Sequence, residues 1–403
     1  VSGRDRRWTV VDLFSGAGGM SWGFHAHPLF RVAAAVDAQK SKPSRNSLYC
    51  NETYYQNIGI APLDIDLQTV DPVNLAKAVR KAGKFRSPTI LIACPPCTGF
   101  SRTLPRNHSE DDPRNALVGR VAEFAQQLKP KIILLENARE LLKGAFSVHA
   151  AILAERLDEL GYDIRAKTYR LQNFGLPQRR ERSIIIAAQK GVELKDLDDL
   201  WDGWKVNSKA VTVRRAIWDL PEVEAGEQHE TDADHRSSSV TSEVLERIHA
   251  IPADGGSWIS LFDAPETEKL ATPAMRRSVA EKRQNEFSDV YGRMAWDAPA
   301  PVIKRECSHV GNGRYTHPEQ ARLCTVRELA LLQGFPADYK FTGSSTQNAY
   351  RHVGDAVPPL ISYQLAWICQ WMLTGKRPAP DQFVLPNTTL RPEDVTPAVL
   401  PCS

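Results

Sequence analysis

Cys97 follows the stretch Ile90-Leu91-Ile92-Ala93-Cys94-Pro95-Pro96, an apolar, β-branched run that stops at two prolines. Neither proline has an N–H to give to a sheet, so a buried strand ends there and a loop begins. The place just past the carboxyl end of a central strand is where α/β proteins hold ligands. A thiolate is the best soft nucleophile that side chains offer. With an ordinary thiol pKa near ~8.5, such a site must favour the thiolate through positive charge or helix amides. Two other stretches carry related chemistry. Glu136 and Asn137 follow the buried run 132–135, so a carboxylate stands at the same sheet edge, either catalytic or capping the next helix. Gln178-Arg179-Arg180-Glu181-Arg182 precedes the buried run 183–188. Arg180 and Arg182 alternate and so share a face, although a solvated hairpin is the common fate of such a charge run.

A cofactor signal lies nearer the start. Phe14-Ser15-Gly16-Ala17-Gly18-Gly19 is a glycine-rich turn between a strand over 8–14 and a helix. Glycines there permit tight backbone angles and close approach of a ligand, though a plain tight turn fits equally well. The turn is not G-x-G-x-x-G, which counts against an ordinary dinucleotide site. Asp37 ends a second strand over 30–36, about 20 residues on, where a carboxylate accepts from ribose hydroxyls or simply caps a turn. Together the two suggest a nucleoside-bearing cofactor. Asp64 is expected at the end of a third strand over 61–66, and the strand before Cys97 comes fourth. Residues 98–116 form a long polar stretch read as an active-site lid. Its Arg102, Arg106 and Arg114 suit phosphates or bare solvent.

The remaining elements frame these groups. Helices are expected over 117–128 and 146–160, and over 322–336, where Thr325 and Glu328 make a capping box. A turn is expected at Gly354-Asp355, with a helix over 358–373. From 191 to 318 the texture changes to acidic and polar stretches with a basic, aromatic-flanked segment at 272–293. This reads as an inserted, loop-rich region able to follow a phosphate backbone. The proline-rich stretch from 376 to 403 is expected to be extended. The 403 residues, 42% hydrophobic and 25% charged, fit an ordinary globular protein. A net charge of +3 permits a nucleic-acid partner without arguing for one. Seven cysteines in no regular framework fit reduced thiols in a cytosol. No apolar run reaches membrane-spanning length, no secretory signal is visible, and no metal site is expected.

In order, DLFSGAGG (12–19), PPCTGFS (95–101), ENA (136–138), QRRER (178–182), RLCTVRELALLQGFP (322–336) and GDAVPP (354–359) make a chain that resembles the C5-cytosine DNA methyltransferases of bacterial restriction–modification systems. The resemblance covers about 1–188 and 320–373, with 190–318 where that family carries its target-recognition domain. It implies a Rossmann-like class I methyltransferase fold, α/β with a mixed, mostly parallel sheet and helices on both faces. Residues 1–190 completed by 320–375 would form the catalytic domain, 191–319 the target-recognition domain, and 376–403 a tail. It implies S-adenosyl-L-methionine as cofactor, S-adenosyl-L-homocysteine as product, double-stranded DNA as substrate, a cognate restriction system, a monomer and a cytoplasmic location.

By the same resemblance, Phe14, Ser15, Gly16, Ala17, Gly18 and Gly19 would line the cofactor pocket. Asp37 would hold its ribose, and Asp64 and Ile65 its adenine. Leu117, Asp355, Ala356 and Val357 would close it. Cys97 would add to carbon 6 of a flipped cytosine, making carbon 5 reactive. Pro96, Glu136 and Arg182 would grip the base, Gln178 and Arg180 would brace the site, and Arg322 and Glu328 would tie the last helices. Asp37, Thr98, Ala138 and Asp355 stand where the family usually has Glu, Gln, Val and Asn. The added charge of Asp355 leads to the expectation that Asp355→Asn tightens cofactor binding. Cys94-Pro95-Pro96-Cys97 also reads as a C-x-x-C thiol–disulfide motif, and tRNA is the rival methylation substrate.

Overall fold

The computed structural model describes residues 6–40, 47–96, 113–145, 147–342 and 345–398. Its centre is a six-stranded sheet in the order β2-β1-β3-β4-β6-β5. The strands are β1 (Trp8–Leu13), β2 (Phe30–Val36), β3 (Ile90–Ala93), β4 (Ile132–Ala138), β5 (Tyr162–Arg170) and β6 (Glu181–Gln189). The first four run parallel, β6 is antiparallel to β4, and β5 is antiparallel to β6. β3 and β4 are buried at every residue, which is why they read as unbroken apolar runs. The strand order reverses between β1 and β3, opening a crevice at their carboxyl ends.

Each face of the sheet has its own core. On one, Val10, Ile92, Leu134 and Ile186 meet Phe24 of helix α1 (Gly19–Ala26) and Leu365 and Ile368 of the helix Pro359–Thr374. On the other, Val11, Leu91, Leu135 and Ile185 meet Leu75, Val121 and Leu153 of helices Pro72–Gly83, Leu117–Leu128 and Val148–Glu159. Asp71 starts the first of these by accepting from the Asn74 N–H at 2.9 Å, with Pro72 behind it.

Four expectations are corrected. Residues 61–66 form no strand; Leu63 makes a single parallel bridge to Val36, so the strand before Cys97 is third. Gly354 and Asp355 are not a turn but the last turn of the helix Thr346–Asp355. Packing does not change at residue 190, because Leu197, Leu200 and Trp201 belong to the sheet's core. Val213, Ile217, Ile248, Met294 and Ile303 instead share a core with Leu329, Leu332, Tyr350 and Val353. Nor is the stretch after 376 free: Phe383, Leu385 and Leu390 are buried in the sheet's core. There β8 (Val395–Pro397) pairs with β7 (Trp204–Val206).

Candidate active site

Strand register puts four polar side chains in one row at the sheet's carboxyl edge. Glu136 lies two residues past Leu134, so both face the same core, and Ala138, two further on, pairs with Arg182 of β6. On the other side, Asp12 of β1 pairs with Ile92 of β3, two residues before Cys94. The row runs Asp12, Cys94, Glu136, Arg182. Arg182 Nε lies 3.0 Å from Glu136 Oε1, with side chains 15% and 10% exposed. The contact is an ion pair without hydrogen-bond alignment. Glu136 Oε1 is therefore a buried acceptor with no hydrogen-bond partner among the described residues, a state that calls for a ligand.

Cys94 is held as a thiol: burial, with Glu136 and Asp12 nearby, pushes its pKa well above the ordinary value. That weakens the thiol–disulfide reading, which needs a readily formed thiolate. Asn137 faces the opposite way. Its Nδ2 donates to Pro95 O at 3.0 Å while its Oδ1 accepts from Ala138 N–H at 2.9 Å. This clamps the backbone two residues before Cys97, with Pro95 buried and Pro96 exposed. Cys97 itself, Arg102, Arg106 and the lid through 112 lie outside the described residues. The last part of the expected lid, Pro113–Ala116, is a 3-10 turn leading into the helix that begins at Leu117.

The segment before β6 stitches three parts of the chain together. Gln178, fully buried, accepts from Ile303 N–H at 3.1 Å and donates to Leu332 O at 3.2 Å and Gln333 Oε1 at 2.6 Å. Arg180 donates to Ile303 O at 3.2 Å and Ala356 O at 3.3 Å. Only Arg182 of the alternating pair meets Glu136; Arg180 joins segment 300–303 to the loop at 356. The expected solvated hairpin is excluded at Gln178 and Arg180, both buried.

A cleft lies beside this row at the glycine turn. Phe14 (φ 62) and Gly16 (φ 51) both adopt left-handed backbone angles, a strained arrangement for Phe14 of the kind found at ligand sites. A side chain at Gly16 would meet nothing within 4 Å, so this glycine borders open space. Ser15 Oγ is buried without a partner among the described residues. Asp37 Oδ2 accepts from Gly16 N–H at 2.8 Å and Oδ1 from Gln39 N–H at 2.6 Å. Burial raises the Asp37 pKa; those bonds oppose it and Asp64 adds to it. Asp64 is exposed and Ile65 half-buried, while Leu117 is buried.

Two glycines differ from expectation. A Cβ at Gly18 would sit 2.9 Å from Tyr339 Oη and one at Gly19 2.4 Å from Val357 O. Protein packs directly on the Cα of each, and Ala17 is buried with Leu48 and Cys50. The contact at Gly19 lays the 356–357 backbone on the glycine turn. Asp355, just before it, pairs with Arg305 Nη1 at 2.8 Å. Its charge is thus answered within the protein, which removes the premise that Asp355→Asn would tighten cofactor binding. Sequence reading also missed Asp12. Its Oδ2 accepts from Ser21 Oγ at 2.6 Å, Ser21 lies 2.6 Å from Tyr54 Oη, and burial pushes the Asp12 pKa up to about 7. An acid inside an apolar strand was the available signal. Arg305 had none, since it lies in an aperiodic stretch.

Comparison with known proteins agrees with this geometry. The family model described as C-5 cytosine-specific DNA methylase matches residues 8–370. The type II methylase M.HgiDII of Herpetosiphon aurantiacus is 30% identical over 370 residues, 91% of this chain and 96% of that one. The type II methyltransferase M1.HphI of Haemophilus parahaemolyticus is 29% identical over 361 residues, 89% and 85% of the two chains. Among solved structures, a DNA modification methyltransferase encoded within an E. coli prophage shares the fold. It has a TM-score of 0.61 at 21% identity over 92% of this chain and all of that one.

Proposed function

Since the chain belongs to the C-5 cytosine-specific DNA methylase family and is a DNA (cytosine-5-)-methyltransferase, we propose that Cys97 is its nucleophile and that Glu136 and Arg182 hold the target base. The carrying observation is the row at the carboxyl edge of β1, β3, β4 and β6, where the unsatisfied Glu136 oxygen stands beside Arg182 and the Pro95 clamp. A cytosine can reach that row only when extruded from its duplex, which costs a few kcal/mol. Glu136 accepts from its ring edge, Arg182 stabilises charge on its carbonyl side, and Cys97 adds to carbon 6 to make carbon 5 an enamine carbon. Once carbon 5 has formed its bond to the methyl, a base takes the proton that carbon still carries, the electron pair restores the 5,6 double bond, and the thiolate leaves from carbon 6.

The cleft fits S-adenosyl-L-methionine: open space at Gly16, an unpartnered buried hydroxyl at Ser15, and carboxylates for a ribose and an amine at Asp37 and Asp64. When bound, that group supplies the methyl and becomes S-adenosyl-L-homocysteine. Asp37 ties the ribose side of the cleft to the glycine turn through Gly16. Ala356, Val357 and Leu117 would close it. Residues 207–319 are proposed to read the DNA target. The kinship with type II methylases supports a cognate restriction system and the bacterial cytosol as the setting, with a monomer as the working unit.

The test is transfer of labelled methyl to duplex DNA, with tRNA as a second substrate and Cys97→Ser as a control. Label in DNA alone, abolished in the variant, is expected. A duplex containing 5-fluorocytosine should become covalently attached at Cys97, as read by mass spectrometry. An adduct at another residue, or an active Cys97→Ser, would overturn the assignment.

A further inference from the structure

The glycine turn has a cleft side and a protein side. Phe14 and Gly16 are half-buried, whereas Ala17, Gly18 and Gly19 are buried. Phe14, Gly16 and Gly18 take left-handed backbone angles, with φ of 62°, 51° and 94°. For Phe14 that conformation is strained, and it persists only where the surroundings over-determine it. On the cleft side Asp37 accepts from the Gly16 N–H at 2.8 Å. On the protein side the Tyr339 hydroxyl donates to Ala17 O, from 322 residues along the chain. Gly18 makes room for it, since a Cβ there would lie 2.9 Å from Tyr339 Oη.

Resting on the proposed methyl-donor site, we propose that Tyr339 is a positioning residue for donor binding. Its hydroxyl shapes the glycine turn from behind, and residues 232–234 of the inserted region set donor affinity through it. The ring is fully buried. It is wedged among Trp22, Phe335 and Phe341, with ring centroids at 5.1, 4.6 and 5.3 Å, so the hydroxyl has one direction open to it. Burial, with Asp12 nearby, pushes the Tyr339 pKa up, which keeps the hydroxyl a donor.

Tyr339 begins a short strap, 339–342, that is bonded at every residue. Tyr339 O accepts from Arg327 Nη1 at 2.8 Å. Lys340 exchanges two hydrogen bonds with Asn57 of the helix Cys50–Ile58, at 3.0 and 2.8 Å. Phe341 N–H donates to Asp234 Oδ2 at 3.0 Å, and Thr342 O accepts from Thr53 Oγ1 at 2.7 Å. Arg327, itself buried, donates to Asp232 at 2.6 and 3.0 Å. The inserted region therefore grips the strap through Arg327 and Phe341, and the strap grips the turn through one hydroxyl.

The test is calorimetry of the full chain with S-adenosyl-L-homocysteine, beside methyl-transfer kinetics on duplex DNA. Tyr339→Phe should weaken the product's Kd and raise the donor's KM by about five-fold each, the worth of one buried hydrogen bond. The kcat at saturating donor and the KM for DNA should stay within about two-fold, a split that lost packing does not produce. Asp232→Asn loosens Arg327 at the far end of the strap and should raise the donor's KM by about two- to three-fold. In the double variant it should add nothing to Tyr339→Phe, because both act through the same hydroxyl. An unchanged donor KM in Tyr339→Phe overturns the proposal. So does a fall in kcat, DNA affinity and melting temperature together, or an Asp232→Asn effect that adds in full. Failure of the unaltered chain to bind S-adenosyl-L-homocysteine would instead overturn the cofactor site on which it rests.

Discussion

Glu136 is buried, and its Oε1 faces the Arg182 cation without a hydrogen bond, so its worth lies in what arrives. Glu136→Gln keeps the shape and the burial but loses the anionic acceptor. A fall in kcat of about 10²–10³-fold is expected, with the circular dichroism spectrum and melting temperature retained; loss of the fold instead would make the residue structural. Asn137 acts at one remove. Asn137→Ala should release Pro95 O from its clamp, cost about 1 kcal/mol in a denaturant titration, and lower kcat without a matching rise in KM. Both residues stood out in the sequence because an acid and an amide directly follow an apolar strand. The sequence did not divide their labour. That follows from strand parity, which sends Glu136 to the face of Arg182 and Asn137 to the face of Pro95. Asp355 misled for a related reason: a charge looks unpaired until the chain brings Arg305 to it from fifty residues away.

The helix Val326–Leu332 shows a local signal that was sufficient. Thr325 Oγ1 accepts from Glu328 N–H at 3.1 Å and Glu328 Oε2 from Thr325 N–H at 2.7 Å, the capping box read from spacing alone. What spacing could not show is the burial of Glu328 against Arg322, which donates through both Nη atoms at 2.8 Å. Burial would raise the Glu328 pKa, but Arg322 and the Thr325 amide win and hold it at about 2. A carboxyl depressed in the folded state stabilises fully above its unfolded value near ~4.5 and ceases to do so as pH falls toward about 2. Glu328→Gln leaves Arg322 buried and unmatched. A loss of about 3–5 kcal/mol in urea melts at pH 7 is expected, with a shallower decline between pH 4.5 and 2.5 than in the unaltered chain. Residues 61–66 failed the same kind of reading. Alternating Leu63, Ile65 and Leu67 look like a strand, but they lie at the free edge of β2 and meet it only at the Leu63–Val36 bridge, too short a contact to make a strand.

Across the whole molecule, the least readable part was the chain after residue 376, whose prolines suggested an unattached end. Leu390 instead fills the space left by Gly175 (φ +95), where a Cβ would come within 2.6 Å of its side chain, and Phe383 stacks near Trp201 at 5.1 Å. Each such buried side chain is worth roughly 1.5–3 kcal/mol. Truncation after Lys376 should therefore remove an amount comparable to a domain's total stability, seen as insoluble protein or a melting temperature lowered by more than about 10 °C. An unchanged melt would mean that the segment merely rests on the surface. The change of texture near residue 190 does not mark a change in packing, because residues 213–310 and 323–356 share a core that only folding brings together. Arg180 bridges those two stretches, with one nitrogen on Ile303 and the other on Ala356, and Gly354 lets Lys304 lie flush against the helix end. Those two contacts work as a calliper. They hold segment 303–304 against the helix end at 354–356 and fix both to the strand that carries Arg182.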